Sequence, residues 1–433
     1  MPVTLSNLKK TVSRRQLPVF LLCLAVLTTV IAHPHPARSA EAAELIFHGG
    51  YLVEDGTGTR AHRANELFIP ASTLKILTSL AALEILGGEY RFDTHLFLDA
   101  ENNLYIQGHG DPFLTSETVL DIGRKLYESG VRQVGTIFMD ESVFALEGPT
   151  AGSENSTRSY DAPNGALVVN FNALPILVAK NGTISSGEAQ TPTLPLMREI
   201  GARLSAGFHR VNLSAFPGTP GLSPTLRYTG ELFSAQLQQA GILVKSSPRM
   251  KMVPEGQKSY LIYKNNLSLS EIVRACLKKS NNFIANQLYL ACGLKSSGQP
   301  ATWQKSQHFF ADYIGNTLNI PPTEIHMVEG SGLSRHNRIT ATALVQILNR
   351  FAPFASLLSP HDGIQLKSGT MRDIFCYAGY FEEDNRLIPF AILLNQEKNH
   401  RDRILKSLQN NRIETVSYPI PDPSATDSSH LNR

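Results

Sequence analysis

The segment Phe68-Ile69-Pro70-Ala71-Ser72-Thr73-Leu74-Lys75-Ile76-Leu77-Thr78 places a serine and a lysine at the start of an apolar, helix-patterned stretch. Side chains three residues apart share one face of a helix, so Ser72 and Lys75 are expected to touch. Pro70 favours a helix start here, which puts Ser72 near the positive end of the helix dipole. A lysine with a lowered pKa can take the proton of a serine hydroxyl. The segment therefore predicts a serine nucleophile with a lysine base.

Two further fragments follow in order along the chain. Ser280-Asn281-Asn282 separates two helical patterns, and Lys367-Ser368-Gly369-Thr370 precedes predicted strands at 374–381 and 387–395. A loop hydroxyl can relay a proton, and a lysine beside two hydroxyl residues suits a carboxylate. Each fragment alone is equally compatible with helix capping or a solvated strand end. Together and in this order, they match the three-part signature of penicillin-interacting serine enzymes.

These motifs resemble those of the D-alanyl-D-alanine carboxypeptidases/endopeptidases of the penicillin-binding protein 4 type. Beyond the motifs, the likeness rests on four segments: Gly108-His109-Gly110-Asp111-Pro112, Tyr160-Asp161-Ala162-Pro163, Asn170-Phe171-Asn172 and Gly330-Ser331-Gly332-Leu333-Ser334-Arg335. It covers about residues 45–410. The resemblance implies an α/β (α+β) fold: a β-lactamase/transpeptidase-like sheet flanked by helices, with a strand-rich domain inserted after the nucleophile helix.

The resemblance also implies a role for each motif residue. Ser72 would be the acylated nucleophile, Lys75 its base, and Ser280 the group that passes a proton to the leaving amine. Backbone N–H groups of Ser72 and Thr370 would form the oxyanion hole. The implied substrate-binding residues are Asn282, Lys367, Ser368, Thr370, Arg335 and Asp140. The sequence does not orient the last two, for which surface positions are equally compatible.

The implied reaction is two-step acyl transfer on peptidoglycan stem peptides, with β-lactam antibiotics as acylating inhibitors. A β-lactamase is one alternative, disfavoured because no Glu-x-x-Leu-Asn lies between the first two motifs. A catalytically silent cell-wall-binding protein is another, disfavoured because every motif residue is present. We expect no cofactor and no metal, since no second histidine stands at H-x-x-x-H spacing from His109.

The long gap between Ser72 and Ser280 predicts an inserted domain. Short β-forming runs and a helical pattern over 115–129 fill this gap. We expect a discontinuous catalytic domain at 43–90 plus 254–417, and an inserted domain at 91–253. Proline, serine and aspartate dominate residues 418–433, which predicts a disordered tail.

The N-terminus has the pattern of a secretory signal over residues 1–42. Basic residues precede an apolar run from Leu17 to Ala32, and Ala40-Glu41-Ala42 fits a small-x-small cleavage site. This predicts a periplasmic protein. An uncleaved segment, the alternative, would associate the protein with the membrane.

Charge and cysteine content restrict the remaining classes. The chain carries 40 basic and 37 acidic residues for a net charge of +3, which gives no electrostatic case for nucleic-acid binding. Cleavage would leave Cys276, Cys292 and Cys376. The first two flank the Ser280 loop, where a disulfide is one alternative, and buried free thiols are the preferred one.

Overall fold

The computed structural model describes residues 42–55, 58–154, 156–216, 218, 221–384 and 386–413. The predicted signal segment, apart from Ala42, and the predicted tail lie outside these residues, so both stay predictions. Within the described ranges, the helices are too short or too polar to cross a membrane.

Helices and strands are interspersed along the described chain. The α-helices are α1 (Lys75–Leu86), α2 (Ser116–Glu128), α3 (Pro195–Gly201), α4 (Pro224–Gln239), α5 (Leu269–Lys279), α6 (Asn282–Ser297), α7 (Trp303–Asp312), α8 (Ala341–Phe351) and α9 (Arg401–Ile413). The strands are β1 (Gly49–Asp55), β2 (Gly58–His62), β3 (Asp93–Leu98), β4 (Leu104–Gly108), β5 (Gln133–Val134), β6 (Ile137–Asp140), β7 (Ala173–Val178), β8 (Ile184–Ser186), β9 (Gly207–Asn212), β10 (Leu243–Val244), β11 (Arg249–Met250), β12 (Leu261–Lys264), β13 (Ile325–His326), β14 (Arg338–Ile339), β15 (Ser359–His361), β16 (Ile364–Met371), β17 (Ile374–Glu383) and β18 (Arg386–Leu394).

A six-stranded antiparallel sheet joins the two ends of the described chain. Its order is β15-β16-β17-β18-β1-β2, with Val53 of β1 opposite Phe390 of β18. Strand β18 is buried from Ile388 to Leu394 without alternation, as expected for a strand covered on both faces. The Lys367 motif lies on β16, next to the hairpin of β17 and β18 that the sequence predicted.

Helices cover both faces of this sheet. On one face, α1 is buried at nine consecutive residues from Lys75 to Leu83, among side chains of α5, α6 and α8. A helix that is apolar all round belongs in a core, which explains this central position. On the other face, Ile404 and Leu408 of α9 are buried against the sheet. The predicted sheet flanked by helices is therefore confirmed.

The insertion has its own sheet and its own apolar core. Five strands pair in the order β11-β6-β4-β3-β12, and α2 and α4 pack on them. Strand β12 pairs with β3, and its Tyr263 is buried in this core. The sheet of the insertion thus extends to Lys264, past the predicted boundary at residue 253. The Pro- and Gly-containing segment 254–256 connects β11 and β12 rather than two domains.

Candidate active site

Ser72 lies in a tight turn that precedes α1. Residues Ala71–Leu74 form a 3-10 turn, and Thr73 Oγ1 donates a hydrogen bond to the Pro70 carbonyl oxygen at 2.8 Å. Ala71 has a φ of 46°, a left-handed conformation that is strained for a residue with a side chain. Ser72 is therefore held half-buried on the cleft by this turn, rather than by the regular helix that the sequence predicted.

Two glycines allow neighbouring backbone to approach this turn. A Cβ added to Gly332, whose φ is 81°, would lie 1.9 Å from the Ala71 carbonyl oxygen. A Cβ added to Gly369 of β16 would lie 2.7 Å from the Pro70 carbonyl oxygen. Because only glycine fits at such distances, these positions bring β16 and the 329–337 loop directly against the turn that holds Ser72.

The Lys75 ammonium lies beneath Ser72. Its Nζ donates hydrogen bonds to Ser72 Oγ at 2.9 Å, to Asn282 Oδ1 at 2.8 Å and to the Ser331 carbonyl oxygen at 2.6 Å. The side chain is fully buried, and burial lowers the pKa of Lys75 to about 8. A lysine that loses its proton this close to neutral pH can accept the proton of Ser72.

A second serine and lysine pair lies across the site. Lys367 Nζ donates to Ser280 Oγ at 2.9 Å and to the Ser368 carbonyl oxygen at 2.8 Å. Ser280 ends α5 in the left-handed conformation, with φ 54° and ψ 37°, which turns the chain toward α6. Burial, and to a smaller extent the positive charge of Lys75, lower the pKa of Lys367 to about 7. The charge of Lys75 therefore acts on Lys367 across the site.

Asn282 connects the two halves of the site. It is the first residue of α6, directly after the N-cap Asn281, whose side chain accepts from the Ile284 nitrogen at 3.1 Å. Its Oδ1 accepts from Lys75, and its Nδ2 donates to the Tyr160 carbonyl oxygen at 3.2 Å. A substrate peptide group that bound Nδ2 would share or replace this contact with the insertion.

A buried glutamate that the sequence analysis missed organises the loop above Lys75. Glu329 is fully buried, and its carboxylate accepts from the Ser331 N–H and hydroxyl at 2.8 and 2.6 Å. It also accepts from the Ser334 nitrogen at 3.2 Å and from Asn337 Nδ2 at 2.7 Å. This network orients the Ser331 carbonyl toward Lys75. The sequence feature that could have indicated this role is an acidic residue directly before the Gly330-Ser331-Gly332 run.

A second missed residue, Arg401, approaches the end of the Lys367 motif. Its Nη1 donates to Thr370 Oγ1 at 2.7 Å and to the Gly369 carbonyl oxygen at 3.1 Å. Its guanidinium stacks 4.4 Å from the centroid of the Tyr377 ring. Ser368 lies two residues before Thr370, and a two-residue step keeps side chains on one strand face. The arrangement suits an anionic group near Thr370.

The cleft above these residues has a volume of about 990 Å³. The insertion forms one wall and the 329–337 loop another; the charged residues in the lining are Glu154, Arg158, Arg335 and Arg372. Three guanidinium groups against one carboxylate make the cleft basic, which favours an anionic substrate. Arg335 lines the cleft, where its Nη2 donates to the Arg372 carbonyl oxygen at 2.5 Å.

The predicted position of Asp140 at the cleft needs correction. Asp140 is buried in the insertion, where its carboxylate accepts from Gln107 Nε2 and the Ser142 and Val253 nitrogens, at 2.8–2.9 Å. These contacts occupy the carboxylate, and Asp140 is absent from the residues that line the cleft. The insertion instead reaches the cleft with Gly152, Glu154, Ser156, Arg158 and Tyr160.

The cysteines play no part in this chemistry. Cys276, Cys292 and Cys376 are free and buried, so the alternative of a Cys276–Cys292 disulfide is wrong and the preferred prediction is confirmed. Burial raises the pKa of Cys276 to about 11 and that of Cys376 to about 12. A thiol with so high a pKa carries almost no thiolate at neutral pH.

The sequence matches a model of the D-Ala-D-Ala carboxypeptidase 3 (S13) family over residues 51–203 and 222–360. A D-alanyl-D-alanine carboxypeptidase from an Actinomadura species is 25% identical, covering 82% of this chain and 78% of that protein. The D-alanyl-D-alanine carboxypeptidase DacB of Haemophilus influenzae is 23% identical, covering 67% of each chain. Two of the three signature motifs fall inside the family match, and the Lys367 motif lies just beyond it.

Among solved structures, the fold is similar to that of penicillin-binding protein 4 from Haemophilus influenzae. The TM-score is 0.69 at 18% identity, covering 88% of this chain and 99% of that one. The same protein in complex with a β-lactam gives a TM-score of 0.65 at 17% identity, with 88% and 99% covered. These likenesses confirm the predicted fold class.

Proposed function

The chain belongs to the D-Ala-D-Ala carboxypeptidase 3 (S13) family, and from this we propose that Ser72 forms the acyl-enzyme through which it acts. It is a serine-type, penicillin-sensitive D-Ala-D-Ala carboxypeptidase. The observation that carries the role of Ser72 is its 2.9 Å hydrogen bond with the buried Lys75. Ser280 and Lys367 form a second hydroxyl–lysine pair of the same length across the cleft, so the choice of Ser72 as the nucleophile also rests on its place in the Ser-x-x-Lys motif.

In the acylation step, neutral Lys75 takes the proton of Ser72 while Oγ attacks the carbonyl carbon of the penultimate D-alanine. The C–N bond then breaks, and the amine of the terminal D-alanine leaves with a proton supplied through Ser280, which Lys367 holds at 2.9 Å. The backbone N–H groups of Ser72 and Thr370 would stabilise the oxyanion, a contribution of about 3–4 kcal/mol per donor. Water then attacks the ester and releases the shortened peptide.

Recognition of the terminal carboxylate is assigned to the end of β16. Thr370 lines the cleft, Lys367 lies beneath it, and Arg401 already donates to Thr370 Oγ1. Charge-assisted hydrogen bonds to a carboxylate are about twice as strong as neutral ones, so two cations here favour a substrate with a free C-terminus. Ser368 and Asn282 complete the proposed contacts to the stem peptide.

Endopeptidase action at the same site is the second candidate. The cleft volume of about 990 Å³ is at the upper end of the range for ligand sites, and exceeds what a terminal dipeptide fills. A cross-linked stem peptide would place a second chain where the terminal D-alanine otherwise lies. Incubation with monomeric and cross-linked muropeptides separates the two activities, because only endopeptidase action converts the dimer to monomers.

Benzylpenicillin is expected to form a stable adduct on Ser72. Intact-mass analysis should show one drug molecule added to the wild-type chain and none added to Ser72→Ala. Ser79→Ala is the matched control, because Ser79 is a buried serine of α1 outside the cleft. It should acylate like the wild type.

The other outcomes of this experiment would contradict the proposed nucleophile or the proposed activity. An adduct on folded Ser72→Ala would overturn the assignment of the nucleophile. Consumption of the drug without an adduct would indicate a β-lactamase, and neither adduct nor consumption would indicate a catalytically silent wall-binding protein.

The acylation rate is expected to have a bell-shaped dependence on pH, with a rising limb near pH 7 and a falling limb near pH 8. The reaction needs Lys75 to be neutral, so that it can act as the base, and Lys367 to be charged, so that it can hold the carboxylate. The active form of the pair therefore carries one proton, on Lys367. The pKa of Lys367 is lowered to about 7 and that of Lys75 to about 8, so both are charged at low pH and both neutral at high pH. Stopped-flow acylation across the pH range measures this. A rate that still rises above about pH 9 would contradict a required Lys367 cation.

The proposal places the enzyme in the periplasm. It is supported by the basic residues and apolar run of the N-terminal segment, and by the small-x-small sequence that ends at Ala42. Protein isolated from a periplasmic fraction should have the mass of a chain that begins at Ala43. A chain that keeps residue 1 and fractionates with the cytosol would oppose export.

A further inference from the structure

Three potential metal ligands lie together on the insertion, outside the active cleft. His95 Nε2 is 3.5 Å from Asp93 Oδ2, and His109 Nδ1 is 3.6 Å from Asp93 Oδ1. One donor atom from each residue lies within 4.8 Å of the others. The three side chains are between 19% and 29% exposed, so an ion can reach them from solvent.

The β3–β4 hairpin explains why residues far apart in sequence meet here. Asp93 and His95 are two residues apart on β3 and share a face of the sheet. In the antiparallel register His95 is opposite Gln107, so His109, two residues on, follows on the same face. The imidazole rings of His95 and His109 stack at 4.1 Å between centroids.

Hydrogen bonds fix which nitrogen of His109 faces the cluster. Gln107 Nε2 donates to Asp140 Oδ2 at 2.9 Å, which leaves Gln107 Oε1 as an acceptor. His109 Nε2 is 3.3 Å from that oxygen and must carry its proton there. The unprotonated Nδ1 therefore points at Asp93. Metal-binding histidines are oriented by this kind of contact, in which the second ring N–H is donated to a fixed acceptor.

We propose that Asp93, His95 and His109 bind one divalent transition-metal ion of the zinc class. Two imidazole nitrogens and a carboxylate suit such ions. A tetrahedral site with ligands at about 2.0–2.1 Å has edges of about 3.3–3.4 Å, so the three donor atoms, which lie within 4.8 Å of one another, would move closer together on binding. The fourth position is open to water. A hydrogen-bonded His–Asp cluster without affinity for metal is the competing explanation that the experiment must separate.

The site would connect the insertion to the catalytic helix α6. The backbone after His109 continues into Gly110, whose carbonyl oxygen accepts from Gln287 Nε2 at 3.0 Å. Gln287 belongs to α6, which begins with Asn282 in the active site. An ion that holds β3, β4 and this turn together stabilises the face of the insertion that contacts α6.

The test is titration of chelator-treated full-length protein with Zn²⁺ by calorimetry, with Co²⁺ absorption as a report on geometry. We expect one ion per chain with micromolar affinity or better, a raised Tm on binding, and the visible bands of a four-coordinate cobalt site. His95→Ala and His109→Ala should each lose saturable binding and the Tm increase. Gln107→Leu should weaken binding about 10- to 100-fold, because it removes the contact that orients His109.

His361→Ala is the matched control. His361 Nε2 lies 3.9 Å from Asp362 Oδ2, a His–Asp pair away from the proposed ligands. This variant should bind Zn²⁺ like the wild type. The proposal is overturned if the wild type shows no saturable binding, or if binding survives in either His95→Ala or His109→Ala. Equal Tm values of the metal-free variants and wild type would show that lost binding does not reflect unfolding.

Discussion

Lys75→Ala is expected to lower the rate constant of acylation by benzylpenicillin by about 10³- to 10⁴-fold. Lys75 Nζ is the only described cation hydrogen-bonded to Ser72 Oγ, so its removal leaves that hydroxyl without a base. The Lys367 ammonium contacts Ser280 instead and is not placed to replace it. Stopped-flow acylation at a fixed drug concentration, with intact mass as the endpoint, measures the loss.

The fold should survive this change, because two opposing effects are of similar size. Lowering the pKa of Lys75 from 10.5 to about 8 disfavours the folded state by about 3 kcal/mol at neutral pH. This penalty is present below pH 8 and disappears as pH rises past 10.5, so removing the lysine at neutral pH is favourable. This gain in stability is opposed by a loss, because Asn282 Oδ1 and the Ser331 carbonyl oxygen no longer receive a hydrogen bond. Each lost bond costs about 1–3 kcal/mol.

Lys75→Met is the matched control for cavity formation, since methionine nearly fills the space of the lysine stem. Both variants should unfold near the wild-type Tm, and both should acylate about 10³- to 10⁴-fold more slowly than the wild type. A folded Lys75→Met that acylates at a rate close to the wild type would remove lysine from the role of base. If both variants lose acylation although their side chains differ in volume, the loss is caused by the missing amine and not by a cavity.

The sequence predicted the catalytic chemistry better than the shape of the cleft. The helical pattern before Ser280 forms α5, and the strands predicted after the Lys367 motif form β17 and β18, because local patterning and core burial favour the same elements. The run 133–139, one of the short β-forming runs of the insertion, is divided into β5 and β6. There, the Gly135 nitrogen donates to the Asn102 carbonyl oxygen and the Thr136 nitrogen to Asn103 Oδ1. Such long-range bonds leave no local pattern.

Residues brought together by tertiary pairing were the ones missed or misplaced. The resemblance implied that Asp140 binds substrate, yet its carboxylate accepts a hydrogen bond from Gln107 within the insertion. The expectation of no metal rested on H-x-x-x-H spacing, which brings two histidines together only on one helix. His95 and His109 instead meet across a hairpin whose register the sequence does not reveal. The role of Arg401 depends on where α9 begins relative to Thr370.

Glu329→Gln is expected to destabilise the protein by about 2–4 kcal/mol and to slow acylation. The Glu329 carboxylate receives four hydrogen bonds, two on each oxygen, and a glutamine must direct its NH₂ group at two of those donors. The loop would then lose the geometry that aims the Ser331 carbonyl oxygen at Lys75. Thermal or urea unfolding measures the change in free energy.

A pH profile separates this role from stability alone. The negative charge of Glu329 raises the pKa of Lys75, so its removal lowers that pKa and should move the acylation profile, chiefly its falling limb near pH 8, to lower pH. Glu84→Gln is the control, because Glu84 accepts from Tyr313 OH and Arg350 outside the cleft. It should cost stability without moving the limb. An unshifted limb in Glu329→Gln would mean that this carboxylate acts on the loop geometry and not on the protonation of Lys75.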